Sequence, residues 1–119
     1  MIIAPWLSVV DATAAVAFYK AAFDAAELYL LEEGGIVAVA QLSIGGADVW
    51  LSDDPDSAPV DGKPGAVRMI VTVDDPDSLF DQVVAAGAKV VAAIHEDFGW
   101  RIGRVVDPFG HHWEIGKQL

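Results

Sequence analysis

Residues 2–9, IIAPWLSV, are β-rich and alternate in side-chain character, and the alternation stops at Asp11. A period of two predicts a strand. Beyond Asp11 the period lengthens: Val16, Tyr19, Ala22 and Phe23 follow helical spacing, and Asp11 is placed to cap a helix over residues 12–23. Three further strands are predicted at AELYLLEE, IVAVAQLSIG and ADVWLSDD, divided by Gly34-Gly35 and Gly45-Gly46. The same succession then returns. AVRMIVTV reads as a strand, and Asp75 as the cap of a helix over residues 76–86 with Pro76 at its first position. Leu79, Phe80, Val83 and Val84 form the apolar stripe of that helix, and Gly87 stops it. AKVVAAIHE, WRIGRVVD and HHWEIGK complete the pattern as three more strands.

The chain therefore reads as written twice. A shift of 64 positions, with no gap, lays Val9 on Val73, Asp11 on Asp75, Glu32 on Glu96, Gly35 on Gly99 and Gly46 on Gly110. The similar pairs Leu42/Val106 and Leu51/Ile115 fall in the same frame. Two tandem βαβββ modules make an α+β plan: module one over 1–53, a polar Pro- and Gly-rich linker over 54–65, and module two over 66–119. A module of this size closes its own core with difficulty, so one domain of two modules is expected. Their curved mixed sheets would form a trough with the helices outside.

Alternation also sorts the faces. Ile3, Pro5, Leu7 and Val9 share one face of the first strand, as do Val67, Met69, Val71 and Val73 of its counterpart, and these uniformly apolar faces should take the helices. The mixed faces should line the trough: Ala4, Trp6, Ser8, Asp48, Trp50, Arg68, Ile70, His112 and Glu114. Apolar walls with a few polar groups suit a small-molecule site.

Composition narrows the partners. Hydrophobic residues make up 54% of 119, enough for a core. Eighteen acidic residues against seven basic ones give a net charge of −11, which disfavours nucleic acid and anionic membranes and is compatible with a cationic ligand. There is no cysteine, hence no disulfide or thiolate site. MIIAPWLSVV lacks the marks of a signal peptide or a membrane span, so the cytoplasm is the expected location.

The paired modules, VVDATAAVAFYKAAF after the first strand, the DDP-helix-AAGA segment and WRIGRVVDPFGHHWEIG near the end resemble the vicinal oxygen chelate superfamily. Its members include glyoxalase I, bleomycin resistance proteins and extradiol dioxygenases, and the tail is closest to a branch of small bacterial members. The resemblance covers nearly the whole chain and implies the paired-module fold and a homodimer. It implies that metal ligands, where a member has them, come from the first and last strands of both modules. Those positions fall on Ala4, Trp50, Arg68 and Glu114. Ala has no donor atom, Trp only an N–H, and Arg is a permanent cation, so the expected cofactor is none and Glu114 is an orphaned ligand.

Each residue has a plainer reading. Glu114 is a ligand or base, or it forms an ion pair with Arg68; the pair is favoured, because a buried carboxylate needs a partner. Arg68 and Glu114 should then lie within ion-pair reach or be bridged by water. His112 lines the trough or lies exposed, and a makeshift metal site of Asp48, His112 and Glu114 is the minor alternative. His111 should sit beneath the helix and His95 on the surface. Trp6 and Trp50 are walls for a planar ligand or ordinary core, with Trp50 favoured for the wall. Trp100 and Trp113 are core or dimer contacts. Arg101 and Arg104 either clamp an anionic group or pair with surface carboxylates, and the excess of acids favours pairing. The expected function is metal-independent binding of an aromatic or cationic small molecule, with Trp6, Asp48, Trp50, Arg68, His112 and Glu114 contacting it. The alternative is a metal-dependent glyoxalase, epimerase or dioxygenase with an atypical ligand set.

Overall fold

A computed structural model describes residues 1–58 and 65–119. The chain divides into two compact units, Met1–Pro59 and Val60–Leu119, each a βαβββ module. Residues 59–64 of the expected linker lie outside the described residues.

In the first unit, β1 (Trp6–Val9) leads into α1 (Ala12–Phe23), followed by β2 (Ala26–Glu33), β3 (Ile36–Ile44) and β4 (Ala47–Asp53). The Asp11 carboxylate accepts a hydrogen bond from the Ala14 N–H at 3.0 Å, satisfying a donor that the first helical turn leaves free. The Asp53 carboxylate accepts from the Ala12 N–H at 2.8 Å and ties the helix start to the end of β4. The helix ends at Asp24, whose left-handed backbone returns its N–H to the Tyr19 carbonyl. The sheet order is β1-β4-β3-β2, with β1 parallel to β4 and the other pairs antiparallel. Ala15, Val16, Tyr19, Ala22 and Phe23 are buried, as are Leu7, Val9, Ala40, Leu42, Val49 and Leu51. The helix packs over β3 and β4.

The second unit repeats this with β5 (Met69–Thr72), α2 (Pro76–Ala86), β6 (Lys89–Asp97), β7 (Trp100–Val106) and β8 (His112–Gln118), in sheet order β5-β8-β7-β6. Asp75 caps α2 by accepting from the Ser78 N–H at 3.2 Å, and Pro76 occupies the first turn. Phe80 and Val83 are buried, as are Val105, Trp113 and Ile115. A Cβ on Gly103 would stand 2.7 Å from Phe80 Cε2, so β7 is a bare glycine where α2 crosses it. No described helix is long and apolar enough to cross a membrane.

Three sequence expectations need correction. The first strand of each unit is shorter than its alternation suggests: pairing starts at Trp6↔Trp50 and Met69↔Trp113. Ile3 and Val67 precede that pairing and are exposed rather than helix-covered. The repeat also needs a gap. Leu42 faces Val49, and Val105 faces Trp113, all four buried, so the counterpart of Leu42 is Val105 and not Val106. The cause is a register shift between β2 and β3 beside Leu31/Glu32, where β3 carries an extra residue.

The β6–β7 turn contains a further departure from the first unit. The β2–β3 turn uses Gly34 (φ 59°) and Gly35 (φ 79°), whereas the β6–β7 turn uses Phe98 (φ 50°) and Gly99 (φ 81°). A side chain in left-handed backbone costs about 1–2 kcal/mol. Phe98 recovers none of that by burial, being 95% exposed.

Candidate functional site

In the first unit, register gathers an aromatic row on the face away from α1. Trp6 lies opposite Trp50, Trp50 opposite Gln41, and Gln41 opposite Tyr29, so one rung from each strand of β1-β4-β3-β2 points the same way. The Trp6 and Trp50 rings are stacked at 6.0 Å with 7° between planes, and Tyr29 stands 6.3 Å from Trp50 at 56°. Trp6 is 56% exposed yet held in place, because its Nε1–H donates to Ser52 Oγ at 2.9 Å. Asp48 lines the same face and accepts from Gln41 Nε2 at 3.1 Å. The two stacked indoles and the tilted phenol make a flat aromatic face with dimensions that a planar group could match. Tyr29 and Gln41 escaped the sequence reading. The register shift between Glu27 and Tyr29 breaks the parity by which β2 would have been assigned a face.

In the second unit the equivalent row is Ile70, Glu114, Arg104 and Ala92. Arg68 Nε meets Glu114 Oε1 at 2.7 Å, the ion pair that the sequence favours. The Glu114 side chain is 16% exposed and that of Arg68 51%, so solvent screens the pair and its worth falls toward the surface range of ~0–1 kcal/mol. Arg104 and Arg101 part company. Arg101 forks onto Asp77 at 2.7 and 2.6 Å and reaches Glu96 at 3.5 Å, holding the Asp77 carboxyl below its usual range. Arg104 has no carboxylate partner among the described residues; its Nε–H donates to His112 Nδ1 at 3.1 Å. That bond requires a lone pair on Nδ1, so His112 is the neutral Nε2–H tautomer. Of the remaining candidates, Trp113 is core, His95 is exposed, and His111 is half-buried in the turn before β8.

Burial, then the nearby Arg104, lowers the His112 pKa, with Arg68 and His111 acting the same way and Asp107 opposing. The folded protein therefore binds fewer protons here than the unfolded chain. Stability is at its full value above the ordinary value of 6.5 and is lost as pH falls below it toward the folded-state pKa. Protonation would also break the Arg104 bond. Urea midpoints should accordingly fall between pH 7.5 and pH 5, and fall less in His112→Gln. Equal slopes in the two proteins would refute the assignment.

The turn into β8 is built by Asp107, 4% exposed. Its Oδ1 accepts from the Phe109 and His111 N–H groups at 2.9 and 3.0 Å, and its Oδ2 from Trp113 Nε1 at 2.9 Å. This clamp sets where His112 and Glu114 emerge. Beside them a cleft of about 410 Å³ opens on sheet β5-β8-β7-β6, walled by Ile70, Phe98, Trp100, Ile102, Arg104 and Glu114.

The donors available to a metal are poor. In the first unit Ala4 carries a methyl group and Trp50 only an N–H. In the second, Arg68 is a cation and is itself the partner of Glu114. Asp48, His112 and Glu114, the minor alternative, are each engaged, by Gln41, Arg104 and Arg68 respectively. Among the described residues no three His, Asp or Glu side chains come together to hold an ion.

The profile of the Glyoxalase/Bleomycin resistance protein/Dioxygenase superfamily matches residues 3–115. Uncharacterized proteins of Mycobacterium bovis and Mycobacterium tuberculosis are 39% identical over 130 residues, covering 98% of this chain and 83% and 74% of theirs. Among solved structures, TioX from Micromonospora sp. ML1 has a TM-score of 0.80 at 28% identity, covering 100% of this chain and 99% of its own. The fosfomycin resistance protein FosX from Listeria monocytogenes, solved with Mn(II) and 1S,2S-dihydroxypropylphosphonic acid, has a TM-score of 0.77 at 16% identity, covering 100% of this chain and 90% of its own. That last likeness is one of fold.

Proposed function

This chain belongs to the glyoxalase/bleomycin resistance protein/dioxygenase superfamily, and from that premise we propose that it is a metal-independent, homodimeric small-molecule-binding protein for an aromatic compound. The observation that carries the reading is the state of the family's ligand positions: three hold Ala4, Trp50 and Arg68, and the remaining acid, Glu114, is paired with Arg68 at 2.7 Å. A divalent ion would have to displace a cation from the one carboxylate among those four positions, which favours binding without metal. Of the two ligand classes that the sequence suggests, aromatic and cationic, the Trp6–Trp50–Tyr29 face supports the first. Asp48, the carboxylate on that face, already accepts from Gln41.

A thermal-shift screen of planar aromatic compounds tests this, because a ligand that binds only the folded state at 100 times its Kd adds about 2.7 kcal/mol of stability. Trp50→Ala should weaken the best hit at least about tenfold, some 1.4 kcal/mol, while circular dichroism stays that of the parent. Loading with Ni, Zn, Mn or Fe should leave metal well below one ion per chain. Stoichiometric metal with turnover of a vicinal dioxygen substrate would instead establish the metal-dependent enzyme.

A further inference from the structure

We propose that the cleft of the second unit binds an organic anion, its acid group on Arg104 and its apolar body against Ile102, Trp100 and Phe98. The inference deepens the small-molecule reading and rests on it only in that the chain binds a small molecule.

The charge distribution singles out Arg104. The protein carries 18 carboxylates and seven basic residues, so an arginine without an acid is the exception. Arg104 lies directly opposite Glu114 in the β7–β8 register, yet Glu114 is taken by Arg68 at 2.7 Å. Arg104 uses Nε on a neutral imidazole, and its two Nη groups have no partner among the described residues. Arg68 offsets Glu114 at this end of the cleft, so the Arg104 guanidinium is left there without an acid, while the other carboxylate of the lining, Asp97, stands at the far end. A guanidinium with its Nη edge free is the donor array that a carboxylate or phosphonate accepts in bidentate fashion.

The rest of the cleft matches the other end of such a ligand. From Arg104, alternate residues of β7 on the same face are Ile102 and Trp100, and Ile70 of β5 flanks Glu114. The wall thus carries a guanidinium at one end, a carboxylate at the other and apolar side chains between them. At the far end stands Phe98, where the first unit has Gly34. A residue that strains the turn and gains nothing from burial is explained by a contact outside the folded chain, and Phe98 lines this cleft. Asp97 also lines that end, four positions along β7 from Arg104 by way of its partner Trp100, so an acid group is repelled from the tip and directed to the Arg104 end.

Three probes with one body and different heads test the proposal: 2-naphthoate, its neutral amide 2-naphthamide, and 2-naphthylmethylammonium, titrated calorimetrically into the full chain at low salt. The expected order is naphthoate at least tenfold tighter than the amide, with the ammonium weakest. Arg104→Gln keeps a donor for His112 and should abolish the preference for the acid. Arg101→Gln, at a guanidinium already held by Asp77 and Glu96, should leave the preference intact. Phe98→Gly should weaken all three probes threefold or more while the melting temperature stays level or rises, the opposite of what a structural role predicts. Equal binding of acid and amide to the parent overturns the inference but leaves the aromatic reading standing, as does a preference that survives Arg104→Gln. An ammonium preference overturns it in favour of the cationic class, and absence of binding by all three overturns it outright.

Discussion

Replacing Asp107 with alanine should cost about 3–5 kcal/mol of folding stability. Three donors converge on the Asp107 side chain. The Phe109 and His111 backbone N–H groups and the Trp113 indole N–H all end on this carboxylate, which is 4% exposed. Hydrogen bonds to a charged acceptor contribute ~1.5–3 kcal/mol each, though three sharing one group do not add in full. Removing the acceptor also leaves the indole N–H of a tryptophan that is 2% exposed without its partner, at ~1–3 kcal/mol. Asp107→Asn should fall between parent and alanine, since one acceptor survives and the other position becomes a donor facing a donor. Thermal unfolding of Asp107→Ala should shift down by more than ~10 °C; a melting point within about 2 °C of the parent would show that the clamp contributes nothing. The clamp also sets the start of β8, so ligand affinity in the Arg104 cleft should fall with stability.

Gly116→Val should destabilise by roughly 2–3 kcal/mol for a steric reason. A Cβ at this position would stand 2.7 Å from the Arg101 carbonyl oxygen and 2.9 Å from Ile102 Cγ1. The first obstacle is backbone, which cannot rotate away as a side chain can. Gly116 sits on β8 between two partners, Thr72 of β5 and Ile102 of β7, so retreat from one strand strains pairing with the other. Its carbonyl also accepts from the Val73 N–H at 3.0 Å. Gly65→Ala makes the control: among the described residues its Cβ would meet only the Val67 carbonyl oxygen at 3.9 Å, and the change should stay within about 0.5 kcal/mol. Denaturant midpoints of the two variants check both values. A Gly116→Val protein as stable as Gly65→Ala would mean that β7 and β8 separate without cost.

Local order was legible in the sequence because local interactions decide it. Both helices run over the residues their apolar spacing predicts, Ala12–Phe23 and Pro76–Ala86, and both start on the expected aspartates. A cap and its first turn are four consecutive residues, so the whole interaction is written in one short stretch. The placement of Trp6 and Trp50 on the face away from the helix followed from alternation, since a strand that keeps its pleat keeps its parity. The Arg68–Glu114 contact was legible through the family resemblance, with the repeat placing both residues on equivalent strand positions.

What alternation could not carry across is parity through a bulge. Tyr29 joins the Trp row only through the shift between Glu27 and Tyr29 in β2, and the counterpart of Leu42 moves by one residue because of the separate shift beside Leu31/Glu32. The choice among partners also lay beyond the sequence. Arg101 and Arg104 lie on one strand, and composition offered 18 acids for either of them. The sequence favoured Arg68 for Glu114, but only the fold gives Arg101 to Asp77 and leaves Arg104 on a neutral histidine. The sequence by itself determined which elements form and which faces are apolar, because those depend on neighbours a few residues apart. The tertiary structure decided which charge is left uncompensated, because that depends on distances between strands that the one-dimensional pattern does not contain.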